Sequence, residues 1–296
     1  MQIFRPIDIE AKIELDEYLN VLNHEACEYS FTTLFMWQNL YKTMYYKGKN
    51  FIVIIGEYED QKFTVIPLAK KENLKDAFEF IVKHFKDNNQ KIHLRAATGE
   101  FVEFLKENYK GKFDYIEERD YFDYVYLGES LRNLPGRKYQ KKRNHINYFL
   151  KEYEGRFEYK RLNEEDFDEC LNLLEKWTEN KEDDESILSE KIAIEKVFKN
   201  YDKLDVKVGG IYIDSKLEAF TFGEYLNDNM ALIHVEKANA EIRGLYPIIN
   251  KLFLENEFED VEFVNREEDL GVAGLRKAKL SYYPHKFVEK YTVLEV

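Results

Sequence analysis

The segment Gly136–Lys151 carries six positive charges and no negative one. The whole chain of 296 residues has a formal net charge of -13, so removing these six cations leaves -19 for the remainder. A cationic stretch in an otherwise acidic chain predicts contact with a polyanion such as tRNA, a phospholipid head group or coenzyme A. The candidate phosphate ligands are Lys138, Lys142 and Arg143. The alternative is a solvated helix whose cations pair with the protein's own acids.

A second candidate site is the turn that follows a predicted strand ending at Glu236. Arg243 and Gly244 precede Pro247, which suits the first turn of a helix because that turn leaves its N–H groups unpaired. A helix start of this kind favours an anion, so the turn predicts a phosphate or carboxylate cradle. An ordinary strand-to-helix turn explains the same residues equally well.

The third candidate is the segment from Asn265 to Lys286, the most specific string in the chain. It follows a predicted strand and enters a short helix whose cations end at a Tyr-Tyr-Pro turn. Each cation alone is weak evidence, because Lys and Arg near a helix C-terminus also stabilise the helix dipole.

The elements that must position these residues repeat along the chain. Hydrophobic periodicity predicts the same order in both halves: strand, helix, helix, three strands, helix, strand, helix, strand. We therefore predict a mixed α/β fold with one domain over residues 1–134 and a second over 135–296. The seam is Pro135-Gly136, the only Pro-Gly pair in the chain. The alternative is a single α/β domain whose elements happen to align.

This element order resembles that of the GNAT acyltransferases. In that fold the central strands splay apart, and a helix N-terminus at the gap receives the pyrophosphate of coenzyme A. Here Arg243 is followed directly by Gly244, and Tyr246 occupies the second small position of the usual loop, which disfavours a plain coenzyme A acetyltransferase. The corresponding turn of the first half, Ala69–Asn73, has no glycine, so we expect no phosphate site there.

The C-terminal string resembles a bacterial family related to the C-terminal catalytic domain of phosphatidylglycerol lysyltransferases. The resemblance lies in Asn265–Gly271 and Gly274–Tyr282, and Ser30–Trp37 with the basic segment fits the same family. It implies two tandem GNAT-like domains and kinship with aminoacyl-tRNA-dependent transferases that include the Fem enzymes. The lysyltransferases carry a membrane-embedded N-terminal domain that this chain lacks, which argues against a lipid acceptor.

By this resemblance, donor and acceptor would meet in a cleft between the domains, with the active site in the second. Acyl transfer needs a positioned nucleophile and a group that stabilises the oxyanion. The residues implied for binding the donor phosphate or oxyanion are Asn265, Arg276, Lys277 and Lys279. Glu236 or His234 would accept the nucleophile's proton, and Tyr283 would return one to the leaving group. A packed core histidine is the alternative for His234.

Other observations limit the function further. No apolar run approaches the length of a membrane span, and the N-terminus has no secretory pattern, so we expect a cytoplasmic protein. Two cysteines and unclustered histidines predict no metal site. We expect no tightly bound cofactor, aminoacyl-tRNA or acyl-coenzyme A as co-substrate, and a monomer, because an internal repeat can supply the interface of a dimer.

Two functions remain open on the sequence. The first is an aminoacyl- or acyltransferase. The second is a non-catalytic GNAT-like module that binds a phosphorylated ligand or tRNA.

Overall fold

The computed structural model describes residues 3–178 and 185–296, which form a mixed α/β fold with two sheets. By contacts the chain divides into two compact units. Unit 1 contains the chain up to Asp123 together with Glu268–Arg276 and Phe287–Val296. Unit 2 contains Tyr124–Glu267 and Lys277–Lys286. The chain therefore first crosses from unit 1 to unit 2 after Asp123, before the predicted seam at Pro135-Gly136. The C-terminal part of the chain contributes to both units.

Unit 1 is built on a mixed sheet with the order β1-β2-β3-β4-β6-β15-β7, and β5 pairs with β3. Its strands are β1 (Arg5–Pro6), β2 (Met44–Lys47), β3 (Phe51–Tyr58), β4 (Gln61–Thr64), β5 (Leu68–Ala69), β6 (His93–Thr98), β7 (Phe113–Glu117) and β15 (Lys290–Glu295). Its helices are α1 (Lys12–Leu22), α2 (Phe31–Met36), α3 (Gln38–Tyr41), α4 (Leu74–Asp87) and α5 (Gly99–Asn108).

The second sheet has the order β14-β8-β13-β12-β11-β10-β9. Its strands are β8 (Asp123–Leu127), β9 (Phe157–Leu162), β10 (Lys207–Ile213), β11 (Lys216–Asn227), β12 (Met230–Ala238), β13 (Phe263–Asn265) and β14 (Lys286–Val288). The remaining helices are α6 (Gly128–Asn133), α7 (Gln140–Glu152), α8 (Phe167–Thr178), α9 (Glu185–Phe198), α10 (Leu245–Glu257) and α11 (Ala273–Leu280). The predicted end of α8 near Asn180 lies outside the described residues.

Two strands belong to a different sheet from the one that the repeat predicts for them. The last strand of the first half, β8, lies between β14 and β13 in the second sheet. The end of the chain, predicted as one strand over 286–296, forms β14 and then β15, which lies between β6 and β7 in the first sheet. Hydrophobic period identifies a strand but not its partner, because pairing is decided by contacts distant in sequence.

The core of unit 2 explains why the basic segment faces outward. In α7 Ile146 and Phe149 are buried, and so is the preceding Tyr139, as the helical period predicts. Leu150, expected on the same face, is 39% exposed. These apolar residues pack with α10, so the cations of α7 lie on the remaining faces of the helix. Within the described ranges, no helix combines the length and apolar character that crossing a membrane requires.

A β-bulge interrupts β6 in unit 1. Leu94 pairs with Val293 and Ala97 with Tyr291, so two residues of β6 lie opposite the single residue Thr292. One of the two, Ala96, adopts a left-handed backbone with φ of 54°. A residue with a Cβ is strained in this region, and the bulge redirects the side chain of its neighbour Arg95.

Replacing Ala96 by glycine should stabilise the protein, because glycine adopts this backbone without a Cβ clash. We expect Ala96→Gly to raise the free energy of unfolding by about 1 kcal/mol in urea titrations. Ala97→Gly is the matched control: it removes a buried methyl group on the same strand and should destabilise the protein. Equal destabilisation by both variants would contradict the assignment of strain to Ala96.

Candidate functional site

The candidate site lies where two parallel strands of unit 2 separate. β12 and β13 pair through Met230↔Phe263, Ala231↔Val264 and Leu232↔Asn265, the last pair between them. β12 then continues to Ala238, while the chain after Asn265 turns away. This is the splay that the GNAT-like element order predicts, and both Glu236 and Arg266 lie beyond the last pair.

Arg266 and Glu236 occupy the gap as an ion pair. Nη2 of Arg266 donates to both carboxylate oxygens of Glu236, at 3.2 and 3.3 Å, and Nδ2 of Asn250 donates to Oε2 at 3.1 Å. The two charged side chains are only 13% and 11% exposed. Burial lowers the pKa of the Arg266 guanidinium, but the Glu236 carboxylate together with Tyr126 and Tyr282 outweighs burial and raises it.

Lys142 of α7 brings a second cation to the same place. Its Nζ lies 3.7 Å from the ring centroid of Tyr282, and the Arg266 Cζ lies 4.9 Å from that centroid. Burial, followed by the positive charge of Arg266, lowers the pKa of Lys142 to about 8. A lysine with this pKa is partly neutral near pH 7 and can accept a proton.

Hydrogen bonds from neighbouring tyrosines fix the segment that carries Tyr282. Tyr139 donates its hydroxyl to the Tyr282 carbonyl at 2.9 Å, and Tyr126 donates to the Lys279 carbonyl at the same distance. The Tyr282 hydroxyl is in turn a hydrogen-bond partner of the Arg266 guanidinium. A cation held in a fixed position suits an oxyanion that arrives with a substrate.

The two proton acceptors expected on β12 have different surroundings. The Glu236 oxygens accept hydrogen bonds from Arg266 and Asn250, so this carboxylate holds the guanidinium in place. His234 is buried between Glu224 (Nε2 to Oε1, 3.1 Å) and Glu267 (Nδ1 to Oε1, 3.0 Å). Burial lowers the pKa of His234, but the two carboxylates outweigh it and raise the pKa to about 9. A histidine that is already protonated at neutral pH is poorly suited to accept a proton.

The predicted residues of the C-terminal string are dispersed. The Asn265 side chain is buried and accepts from the backbone N–H of Glu267 at 2.7 Å. Lys279 donates through Nζ to the Arg266 and Glu267 carbonyls, so it fixes the turn after β13. In unit 1, Arg276 pairs with Asp269 and Asp120, which engage its guanidinium. Lys277 is exposed.

The other predicted ligands lie on α7 or in the turns that precede α7 and α10. Lys138 lies 5.3 Å from the ring of Tyr283, which is 48% exposed, and Arg143 donates to the Leu134 and Gly136 carbonyls. The Arg243 guanidinium stacks 4.6 Å from the centroid of an exposed tyrosine ring on α7.

Gly244 has φ of 92°, and a Cβ there would lie 2.3 Å from the His145 carbonyl oxygen. Close packing against α7 therefore accounts for this glycine.

Unit 1 contains a buried charged cluster that sequence reasoning missed. The potential ligand atoms of Cys27, Asp123 and Glu268 lie within 4.8 Å of one another. However, Lys290 Nζ lies 2.6 Å from Asp123 and 2.7 Å from Glu28, so an ammonium of the protein itself already pairs with these acids. Burial, and then the negative charge of Asp123, raises the pKa of the Cys27 thiol well above its usual value. The cluster therefore resembles an internal ion-pair network more than a vacant cation site.

Comparison with known proteins gives the family. Residues 19–294 match the family described as phosphatidylglycerol lysyltransferase, C-terminal. The chain belongs to this family. The match covers both units, so the resemblance seen in the C-terminal string extends through the chain.

Solved structures agree with the lysyltransferase C-terminal fold. A conserved protein of unknown function from Bacteroides thetaiotaomicron is 31% identical over the full length of both chains, with a TM-score of 0.95. The C-terminal domain of an Agrobacterium fabrum protein described as a lysylphosphatidylglycerol synthetase is 12% identical to this chain. The match covers 97% of this chain and 92% of that chain, with a TM-score of 0.70. A tandem GNAT protein from the clavulanic acid biosynthesis pathway is 7% identical, with 100% and 98% covered and a TM-score of 0.54. The predicted tandem GNAT-like fold is therefore confirmed.

Arg266 and Tyr282 complete the candidate site but were not among the predicted site residues. Both belong to the string that carries the family resemblance. The sequence feature that could have identified Arg266 is its position shortly after a predicted strand of a splayed sheet. Its ion pair with Glu236, thirty residues earlier, could not be read from spacing.

The free energy of unfolding should depend on pH through His234. Its folded pKa of about 9 exceeds the ordinary 6.5, so the stabilisation is complete below pH 6.5 and is lost as pH rises through 9. Over that interval the wild-type protein should lose about 3 kcal/mol more than His234→Gln, measured by urea unfolding. His285→Gln, which changes an exposed histidine, should follow the wild-type curve. Parallel curves for wild type and His234→Gln would disprove the assignment.

The pKa of Lys142 should respond in opposite directions to its two charged neighbours. Arg266→Met should raise the pKa from about 8, because it removes a repelling cation. Glu236→Gln should lower it, because the carboxylate stabilises the ammonium. NMR titration of ¹³C-labelled lysine side chains measures both shifts. Shifts of the same sign in the two variants would show that Lys142 does not sense this ion pair.

Proposed function

We propose that this member of the phosphatidylglycerol lysyltransferase C-terminal family transfers an aminoacyl group from aminoacyl-tRNA to an amine or hydroxyl acceptor. The observation that carries the proposal is Lys142, a lysine with a lowered pKa beside the Arg266–Glu236 ion pair where β12 and β13 separate. A proton acceptor and an oxyanion ligand are the two groups that acyl transfer requires.

We assign each step of the acyl transfer to a residue of the candidate site. Neutral Lys142 accepts a proton as the acceptor's nitrogen or oxygen bonds to the ester carbonyl carbon. Arg266 stabilises the oxyanion of the tetrahedral intermediate through the positive charge of its guanidinium. When the bond to the ribose oxygen breaks, the Lys142 ammonium returns the proton to that oxygen. Glu236 and Asn250 keep the guanidinium in position.

The surface of α7 supports a tRNA donor over a small one. Arg137 and Lys138, just before α7, and Lys141, on α7, are exposed, and the segment Gly136–Lys151 that holds them with Lys142 contains no acid. A polyanion approaching an otherwise acidic protein would be attracted to this surface. Acyl-coenzyme A is the less favoured donor, because the Gly244 turn packs against the backbone of α7.

Lys142→Arg tests the proposal because it retains the positive charge but cannot lose its proton near neutral pH. We expect aminoacyl transfer to fall by about 10² to 10⁴ while the affinity for tRNA stays unchanged. Transfer is measured as loss of label from a pool of aminoacyl-tRNAs, and affinity by filter binding. Lys141→Arg, an exposed neighbour on α7, is the matched control and should transfer at the wild-type rate.

Three results would contradict the proposal in different ways. Consumption of acyl-coenzyme A but not aminoacyl-tRNA would identify a different donor. Binding of tRNA without any transfer would identify a binding module. Equal activity of Lys142→Arg and wild type would exclude Lys142 as the proton acceptor.

A further inference from the structure

A second group of residues, in unit 1, has the properties of a binding site and is independent of the proposed transfer chemistry. It is centred on Arg95, which lies in the β-bulge of β6 next to the strained Ala96. Bulges redirect side chains and are frequent beside functional sites, and a strained backbone persists only where its surroundings enforce it. The bulge therefore indicates that the fold holds Arg95 in a particular position.

Four aromatic rings surround the Arg95 guanidinium. Its Cζ lies 5.1–6.0 Å from the ring centroids of Phe63, Tyr41, Tyr58 and Tyr121. Each distance is within the range of a cation–π contact. We refer to these four rings as the aromatic cage.

The aromatic cage is held by its own packing. The Tyr41 ring contacts Tyr58 at 5.4 Å and meets Phe63 edge-on at 6.1 Å. Gly56 of β3 makes this possible, because a Cβ there would lie 2.3 Å from the Phe63 ring and 2.9 Å from the Tyr41 carbonyl oxygen. Burial raises the pKa of Tyr41 to about 12, so its hydroxyl remains a hydrogen-bond donor.

The guanidinium has no acidic partner in residues 3–178 and 185–296, and no hydrogen bond from it is found there, although the chain contains 57 Asp and Glu. Its side chain is partly exposed, so a ligand can reach it. Aromatic rings do not accept hydrogen bonds as a carboxylate does, so the N–H groups along the edge of this guanidinium have no acceptor in this part of the chain. That edge matches a carboxylate or phosphate with two parallel hydrogen bonds.

We propose that Arg95 and the aromatic cage form a binding site for a carboxylate attached to an apolar body. The guanidinium binds the carboxylate through its edge, and the exposed ring surfaces contact the apolar part. Such a ligand is preferred over inorganic phosphate, because phosphate has no apolar part to contact the rings.

Hexanoate is a suitable probe, and the Nε–Hε NMR signal of Arg95 reports its binding in the full-length wild-type chain. We expect hexanoate to shift this signal saturably, and inorganic phosphate at the same concentration to shift it far less. Arg95→Lys should weaken hexanoate binding at least about tenfold, because lysine cannot make the bidentate contact. Tyr58→Leu should weaken it less, since it removes one ring and leaves the guanidinium.

Arg5→Lys is the matched control. Arg5 also stacks on a tyrosine, 4.7 Å from the Tyr45 ring centroid, but it pairs with Glu14 at 2.6 Å. This variant should bind hexanoate like wild type.

Absence of a hexanoate-dependent shift in the wild-type protein would overturn the site. Equal binding by Arg95→Lys would overturn the role of the guanidinium. Phosphate binding as tight as hexanoate binding would overturn the assignment to a carboxylate.

Discussion

The ion pair between Arg266 and Glu236 lies where β12 and β13 stop exchanging backbone hydrogen bonds, and the surrounding structure is arranged to support it. Two nearly buried charges are costly unless each has partners of the opposite charge or hydrogen bonds. Asn250 supplies a further donor to the carboxylate, and Lys279 anchors the carbonyl of Arg266. The splay of the strands therefore does more than open a gap, because it creates a polar site inside an apolar core.

The same pair determines the protonation of its neighbour. Lys142 would carry a full charge in water, but burial and the Arg266 cation lower its pKa toward neutrality. The pKa of His234, two residues before Glu236 on β12, changes in the opposite direction because two carboxylates surround the ring. One region of unit 2 thus holds a lysine that can lose its proton and a histidine that keeps it. This separation of pKa values by environment is characteristic of sites that move protons.

Unit 1 uses buried charge differently. Lys290, from the C-terminal strand, pairs with Asp123 and Glu28 beside a protonated Cys27, so an ammonium of the protein itself lies at the centre of this network. Arg95 is the contrasting case, because aromatic rings replace carboxylates around it and no described residue accepts a hydrogen bond from its guanidinium. In unit 1, therefore, the buried ion pairs contribute to structure, whereas Arg95 is suited to recognition.

Sequence alone determined the local elements and the location of the chemistry along the chain. Periodicity identified the order of helices and strands, the absence of acids between Arg137 and Lys151 identified α7, and the string from Asn265 to Tyr282 identified the family. Lys142 was among the predicted ligands, although as a phosphate contact. These properties depend on residues close together in sequence, where helix and strand periods apply.

Only the tertiary structure decided which charges meet. It brought Arg266 to Glu236, Lys142 to Tyr282 and the two carboxylates to His234, and it placed Arg276 with Asp269 and Asp120. It also exchanged β8 and β15 between the sheets predicted for the two halves. Strand partners and pKa values depend on desolvation and on contacts between distant segments, which no local pattern encodes.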